Sequence, residues 1–538
     1  MKAVVPILMS LALATAAAAQ TPTLLWSFQG NGSIECIAAI PDIDGDGGVD
    51  VVFEGYGNGP SGVEHVFAIR GRSSGIGEVI WSARPIGGAS SGGGDGDNCL
   101  RIGADLNGDL FPDVLLGTAW GGRTAYALNG ISGATLWGFD TYVQSPPSPP
   151  SSGWVYAIDN LGTDLTADGV PEVVFCTGSY NDRIYGVNGA TGSYLWNYWG
   201  NDAFFDVRSC QDINYDGVRD VVAALGDDAV AKQVVAREGS CGCPLWSRPI
   251  NGTIWNLTFV GDVNGDGISE IVPASWGNTL NCINGRTGAI IWSVPASGQQ
   301  RVVALDDVNG DGFGDVAVGY NTTSACAAYS GINGALIWSR PTSDWVWAVD
   351  RIGDCTDDDI NDVVAGDFDG WVYLLDGVDG TVVWSWRNPT TDKIMTIRGV
   401  PDLNGNGAPD VVAGTQLLTN GTGGDVYALE GNEDPLHAPD AEIAGSRGLT
   451  PTFPNPFTAS ASWSLRPDRS GNARVLVFGS DGRLIREVAR RDLAAGEQIP
   501  LIWDGRDGSG ALATAGIYHL RVLLDGRPYS QRRAVLVR

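Results

Sequence analysis

Nine-residue stretches of the form D-x-[DNT]-x-[DN]-x-x-x-[DE] recur eight times in the 538-residue chain, opening at Asp42, Asp105, Asp164, Asp212, Asp262, Asp307, Asp354 and Asp402. Oxygen donors at positions 1, 3, 5 and 9 of so short a loop can wrap a hard cation, and Gly at position 6 permits a positive backbone torsion, so the implied chemistry is calcium binding. In the first loop the ligands are expected to be Asp42, Asp44, Asp46 and Asp50, with the Gly48 carbonyl and water completing the shell. The second offers Asp105, Asn107, Asp109 and Asp113, and the fourth Asp212, Asn214, Asp216 and Asp220. The fifth offers Asp262, Asn264, Asp266 and Glu270, and the sixth Asp307, Asn309, Asp311 and Asp315. Three copies are degenerate. The third offers Asp164, Thr166, Asp168 and Glu172, the seventh Asp354, Thr356, Asp358 and Asp362, and the eighth Asp402, Asn404, Asn406 and Asp410. The last has only two carboxylates and is expected to bind most weakly, out of up to eight Ca²⁺ sites. Without metal, crowded like charges should make the loops fray; the competing reading of any one copy is an Asx-turn holding no ion.

A β-branched run such as Val51-Val52 follows the loops, so a strand leaves each of them. Alternating with the loops is a second element, typified by residues 127–137 (ALNGISGATLW), whose terminal Trp recurs at 26, 81, 137, 196, 246, 292, 338 and 384. Units of about 45–60 residues with several short strands and Gly turns match four-stranded propeller blades. The expected fold is therefore all-β, an eight-bladed β-propeller over residues 22–431. Its first Trp strand, Leu24-Leu25-Trp26, precedes the first loop, while the strand Val426–Leu429 lacks a Trp partner, so the N-terminal strand should complete the eighth blade.

The flanking segments supply an address. Met1-Lys2, an apolar stretch from Ala3 and Ala17-Ala18-Ala19 before Gln20 form a signal peptide over residues 1–19. No later apolar run is long enough for a membrane-spanning helix, so a secreted or cell-surface protein is expected. Residues 432–448 read as a linker. From Ser446 onward 14 Arg face 8 acidic residues, so the rest of the chain carries −35 against a formal net charge of −29 overall. That acidity disfavours nucleic acid and other polyanions unless a metal intervenes. Alternating strands over residues 449–538 predict a small β-sandwich.

Nine Cys leave at least one without an intramolecular partner. Cys36 and Cys99 each lie six residues before a loop's first Asp and are expected to form a disulfide between adjacent inner strands. Cys241 and Cys243, separated by one Gly, are expected to be reduced or otherwise partnered, because so small a ring is strained. Trp154, Phe204, Phe205, Trp255, Trp345 and Trp347 fall just before innermost strands, on the face opposite the acidic loops. There they could stack on sugars or contact a protein, with blade-to-blade packing as the competing role.

The acidic loops resemble the FG-GAP and VCBS-type repeats of integrin α-chain propellers and bacterial surface proteins, which implies calcium in the hairpin between the first two strands of a blade. The Trp element resembles the docking motif of quinoprotein propellers, matched by Ala127, Asn129, Ser132, Gly133 and Trp137 and, with Cys for Ala, by Cys282, Asn284, Thr287, Gly288 and Trp292; in that family the Trp packs between blades. The vicinal Cys pair that accompanies PQQ there has no counterpart, which argues against PQQ-dependent dehydrogenase activity. A resemblance to calcium-rich eight-bladed rhamnogalacturonan lyases makes a polysaccharide lyase or hydrolase the enzymatic alternative, although no spacing marks Lys232, Lys393 or His65 as a base. Residues 449–538 resemble the Ig-like modules of flagellar hook-capping proteins and type A sorting domains of the type nine secretion pathway. The matching segments are 454–457 (PNPF), 478–483 (FGSDGR), 503–507 (WDGRD), 515–518 (AGIY) and 533–538 (RAVLVR). The resulting expectation is a non-catalytic surface binding or adhesion protein with a glycan or protein ligand, delivered by secretion machinery through its C-terminal domain.

Overall fold

The computed structural model describes residues 21–55, 65–85, 88–89, 96–119, 122–143, 153–179, 181–226, 232–356, 358–416 and 424–431 of one compact unit (1–433). In a second unit (434–538) it describes residues 457, 460–467, 469–479, 484–508, 512–513, 516–524 and 527–537. The signal peptide, the linker and, within the C-terminal motifs, residues 454–456, 480–483, 515 and 538 lie outside the described residues.

In the first unit, hairpins fold successive strands into eight antiparallel sheets. Blade I comprises Ile34–Ile40, Asp50–Gly55, Val66–Ile69 and Val79–Ala83. The innermost strands of blades II to VIII are Leu100–Ile102, Trp154–Asn160, Phe204–Ser209, Ile254–Phe259, Gln299–Ala304, Val346–Arg351 and Ile394–Val400. Neighbouring innermost strands touch in sequence, and that of blade VIII touches that of blade I, so the sheets close a ring. Second strands such as Asp50–Gly55 and Val173–Gly178 are buried along their whole length, because both their faces meet adjacent sheets. Outer strands alternate. In Leu24–Gln29, Trp26 is the one buried residue.

As the order of elements predicts, Leu24–Gln29 pairs antiparallel with Asp425–Glu430 and supplies the outer strand of blade VIII. Gly75–Ile76 from blade I adds a short parallel pairing to the same strand. The Trp residues explain how blades are joined. Each outer-strand Trp donates its indole N–H to a Gly carbonyl in the next blade: Trp26 to Gly71 (2.9 Å), Trp81 to Gly130 (2.8 Å), Trp137 to Gly189 (2.7 Å), Trp196 to Gly239 (2.8 Å). Trp246, Trp292, Trp338 and Trp384 repeat the bond to Gly285, Gly331, Gly377 and Gly431. The indole face lies under a second Gly of the same turn. A Cβ added at Gly133, where φ is +69°, would stand 2.4 Å from Trp81, so both the torsion and the close approach require glycine.

Blade II departs from the pattern. Its innermost strand is split into Gly88–Ala89 and Leu100–Ile102, and a short 3₁₀ turn, Gly96–Cys99, precedes the second piece. The turn touches the innermost strands of blades I, III, IV and VIII, so it reaches across the ring axis.

The second unit is also all-β. Ala461–Leu465 pairs with Ile499–Trp503, and a four-stranded sheet runs Leu484–Leu493, Gly471–Gly479, Gly516–Leu524, Arg527–Leu536. Trp463, Trp503, Val475, Leu520 and Leu536 share its core with Phe457.

The cysteine expectations are corrected. Cys241 and Cys243 form a disulfide, because Gly242 at φ +68° turns the chain back on itself and brings the two Cα atoms to 5.3 Å. Cys36 and Cys99 are not joined by a disulfide: register equivalence brings their buried sulfurs to 3.8 Å, where the Cys99 thiol donates to Cys36.

Candidate metal loops and binding rim

Each acidic loop folds around its own carboxylates. The position-1 Asp accepts the N–H of residue 6 in all eight copies, from Gly47 to Asp42 (2.8 Å) through Gly407 to Asp402 (2.6 Å). Residue 6 has positive φ throughout, including the two copies that lack Gly, Leu110 at +74° and Asp359 at +69°. The side chain at position 5 accepts from residue 7, as Asp46 does from Gly48 (2.8 Å) and Asn406 from Ala408 (2.8 Å).

Position 9 links the loop to the blade joint. Asp50, wholly buried, accepts from Ile43 N–H (2.9 Å) with one oxygen and from Gly71 N–H (3.0 Å) with the other. Gly71 is also the residue whose carbonyl receives Trp26. The same relay recurs at Asp113, Glu172, Asp220, Asp315, Asp362 and Asp410. Burial pushes these acids up: Asp50, Asp220 and Asp315 to about 6, Glu270 and Asp362 to about 7, and Asp410 to about 8. Nearby loop carboxylates add repulsion in the same direction.

A hard divalent cation fits this donor set. In the first loop Asp42, Asp44 and Asp50, and in the fifth Asp262, Asp266 and Glu270, each bring one carboxylate oxygen within 4.8 Å of the others. Such clustered, partly desolvated carboxylates favour a divalent cation held by oxygen.

Among the described residues, none of the other six loops gathers three carboxylates as closely as the first and fifth do. In the third loop the Thr166 hydroxyl accepts from Asn188 (2.9 Å) and the Thr166 N–H reaches Glu172 (3.0 Å). In the seventh, Thr356 donates its hydroxyl to Asp362 at 3.5 Å, while Asp358 is exposed and accepts the Ile360 N–H (2.8 Å). In both loops the position-3 Thr is thus bonded to the buried acid at position 9, through its N–H in the third and its hydroxyl in the seventh.

One contributor was not read from the spacing. The residue at the third position of the Trp element folds back onto the loop of its own blade. Asn129 donates to Asp109, Asn188 to Asp168 (2.6 Å), Asn284 to Asp266 (2.6 Å) and Ser330 to Asp311 (3.0 Å). In blade VIII this residue is Glu430, which accepts from Asn404 (2.9 Å) and from Asn406 and adds a third carboxylate to the poorest loop. In blade I it is Arg70, whose guanidinium binds Asp44 at 2.6 Å and Asp46 at 3.6 Å. Asn129 and Asn284, the second matched residues of the docking motif, carry this signal in the sequence.

At the other end of the innermost strands, the aromatics divide. Trp154, Tyr156, Phe205 and Trp255 form a continuous arc over blades III to V, with Tyr156–Phe205 and Phe205–Trp255 centroids 5.1 and 4.9 Å apart. Phe204, Phe205 and Trp255 are nearly buried, and so pack between blades. The arc ends on Trp276, which the sequence reading missed; it lies 4.7 Å from Trp255, is 45% exposed and donates to Gln300. Trp345, also 45% exposed, and Trp347 form a second cluster around Phe368, with the Lys393 ammonium 4.3 Å from the Phe368 ring. His65 is buried between Glu54 (3.0 Å) and the Pro85 carbonyl (2.7 Å), so both of its ring nitrogens are engaged.

No protein-family model matches the chain, and no curated protein is significantly similar to it. Among solved structures, Saccharomyces cerevisiae Sqt1 is similar at TM-score 0.54 and 13% identity, over 77% of this chain and 100% of that one. BamB from Moraxella catarrhalis (TM-score 0.47, 16% identity) covers 76% of this chain and 98% of its own. The C-terminal WD40 domain of Sif2 (TM-score 0.45, 14% identity) covers 76% of this chain and 96% of its own. At 13% identity the likeness to Sqt1 is one of fold alone, and it agrees with the repeated four-stranded sheets of a β-propeller.

Proposed function

We propose that this chain is an exported, calcium-stabilised β-propeller that acts as a non-catalytic binding or adhesion protein. Its ligand, a glycan or a protein, is taken on the aromatic rim opposite the acidic loops. The observation that carries the reading is the exposure of Trp276 and Trp345, one beside the buried Trp255 and Phe205 and the other beside the half-buried Trp347 and Phe368. An exposed indole anchored by its own packing presents a rigid apolar face with little entropy to lose on binding. Calcium in the loops is supported by the clustered carboxylates and by the raised position-9 acids, whose charge a cation would stabilise. Export rests on the leader-like N-terminus, and delivery to the surface on the resemblance of residues 449–538 to sorting modules.

The test is co-sedimentation of the calcium-loaded protein with insoluble polysaccharides and with cells, repeated in chelator. Retention on a glycan, lost in a double variant carrying Trp276→Ala and Trp345→Ala at unchanged melting temperature, supports the glycan form, and retention on cells alone supports a protein ligand. No retention on either, or retention that the double variant keeps, overturns the reading.

A further inference from the structure

The first unit is strongly acidic, yet its axis gathers arginines. Arg101, Asp159, Arg208, Asp350 and Arg398 occupy equivalent places on innermost strands: each pairs with the second residue after its loop's ninth position, namely Leu115, Val174, Val222, Val364 and Val412. Val303 holds that place in blade VI, opposite Ala317, and Arg301 stands two residues before it. Ring closure brings these strands together around a cavity of about 430 Å³, whose lining includes Arg101, Arg208, Arg301, Arg351 and Arg398.

The charges inside do not balance. Five guanidiniums share the inner strands with Asp159, Asp206 and Asp350; Arg208 is paired with Asp206 at 3.0 Å, and Arg398 lies 3.9 Å from Asp350. Glu35 is a fourth acid on the inner strands, but of the four only Asp350 belongs to the cavity lining, which therefore holds five guanidiniums and one carboxylate; Arg351 also reaches the exposed Asp306 at 3.2 Å. The heads of Arg101 and Arg208 converge on one acceptor, the Asn98 Oδ1 atom of the 3₁₀ turn, at 3.4 and 2.8 Å. Asn98 is fully buried and donates in turn towards the Phe205 and Trp255 carbonyls, so the turn braces the two arginines from the aromatic side. Burial and the neighbouring Arg208 and Arg398 pull Arg101 down to about 10. Grouping guanidiniums in a partly desolvated space costs free energy that an anion would offset.

We propose that the axial cavity is a binding site for a small polyvalent oxyanion, a di- or tricarboxylate or a phosphate-type dianion, held by Arg101, Arg208, Arg301, Arg351 and Arg398. The planar fork of each guanidinium suits both chemistries, since carboxylate and phosphate oxygens can each accept two parallel N–H donors. A lining of five guanidiniums and one carboxylate suits a dianion or trianion better than a monovalent ion. Unlike the rim, this site needs no exposed aromatic, so the two can fail independently.

The experiment is calorimetric titration of the full calcium-loaded chain with tricarballylate and, separately, methylphosphonate, both weak calcium binders, at a fixed chloride concentration of about 0.15 M. Saturable one-to-one binding of either supports the site, and the stronger of the two identifies carboxylate or phosphate as its natural chemistry. Arg301→Gln should weaken binding about tenfold or more, as expected for loss of a charge-assisted hydrogen bond. Should Arg301→Gln fail to fold, Val303→Glu keeps every arginine while adding a carboxylate to the cavity, and should abolish binding at an intact melting transition. Arg474→Gln in the second unit should change nothing. Heats no larger than those of added chloride, binding unaltered in Val303→Glu, or equal weakening by Arg474→Gln would each overturn the proposal.

Discussion

Loops 42–50 and 402–410 are neighbours across the joint where the ring closes, and they are opposites in sequence: four carboxylates in the first, two in the last. In space they converge. Arg70 places one guanidinium on the first, and Glu430 adds one carboxylate to the last, so each carries a net charge of three negatives. Arg72 sits between them, donating to the Asp46 and Gly47 carbonyls (2.6 and 3.2 Å) and standing 3.1 Å from where a Cβ on Gly405 would be. The lesson is that a loop's affinity for a cation is set by the hairpin that folds back on it as much as by its own nine residues.

The harshest way to break this comparison is to open the joint. Trp26 is fully buried and bonded to Gly71, so Trp26→Ala should cost about 3–5 kcal/mol in urea unfolding. Deleting residues 22–28 should destabilise the whole ring; an intact melting transition after that deletion would show that loops 1 and 8 do not depend on closure. Next in size is Glu430→Gln, which returns loop 8 to two carboxylates. Its calcium affinity should fall about tenfold or more, read as one ion fewer in native mass spectrometry at limiting calcium. Arg70→Gln should act in the opposite sense on loop 1 and more weakly, because Arg70 is 41% exposed and its attraction to Asp44 is screened. If both substitutions leave calcium stoichiometry unchanged, the back-folded residue has no say in binding.

The smallest expected effect is a pH dependence. Six position-9 acids, Asp50, Asp220, Glu270, Asp315, Asp362 and Asp410, sit at about 6 to 8 in the folded chain, above the ordinary carboxylate value of about 4. Between those values the folded state binds more protons than the unfolded one, so stability is fully present at low pH and is lost as pH rises through about 6 to 8. In chelator, the melting temperature should therefore drop from pH 6 to pH 8 and level off above pH 8, where the folded chain too has lost the Asp410 proton. Calcium, which binds the charged form, should flatten or reverse the slope; a flat profile in chelator would contradict the raised values.

Period made much of this molecule legible. Eight loops and eight Trp residues at near-regular spacing define blades, hairpins and even the closing strand, because each repeat buries its faces only against its neighbours. What lay hidden depends on contacts between repeats. Arg70 and Glu430 sit 28 residues after Asp42 and Asp402, outside any nine-residue window. Thr166 fits the loop spacing, yet its hydroxyl is bonded by Asn188, which lies 22 residues further on and outside the loop. The axial arginines stand singly on separate strands and meet only once the ring exists. The split inner strand of blade II gave no periodic signal, and local chain geometry at Gly242 joined Cys241 to Cys243 where ring size had argued against it.

The strand Leu24–Gln29 also has a history. It is made before every other strand of the ring, but its antiparallel partner Asp425–Glu430 emerges some 400 residues later, so only the short parallel pairing with Gly75–Ile76 is open to it until nearly the whole ring has been made. Throughout that interval an apolar strand with a free backbone edge must wait, the arrangement that slows folding and invites wrong pairing. The seven blades formed in the meantime offer a matching gap at their last sheet. A second chain at the same stage offers the same gap, so newly made molecules should be most prone to exchange first strands when they are crowded, and the exchange should become rare once each ring has closed on its own beginning.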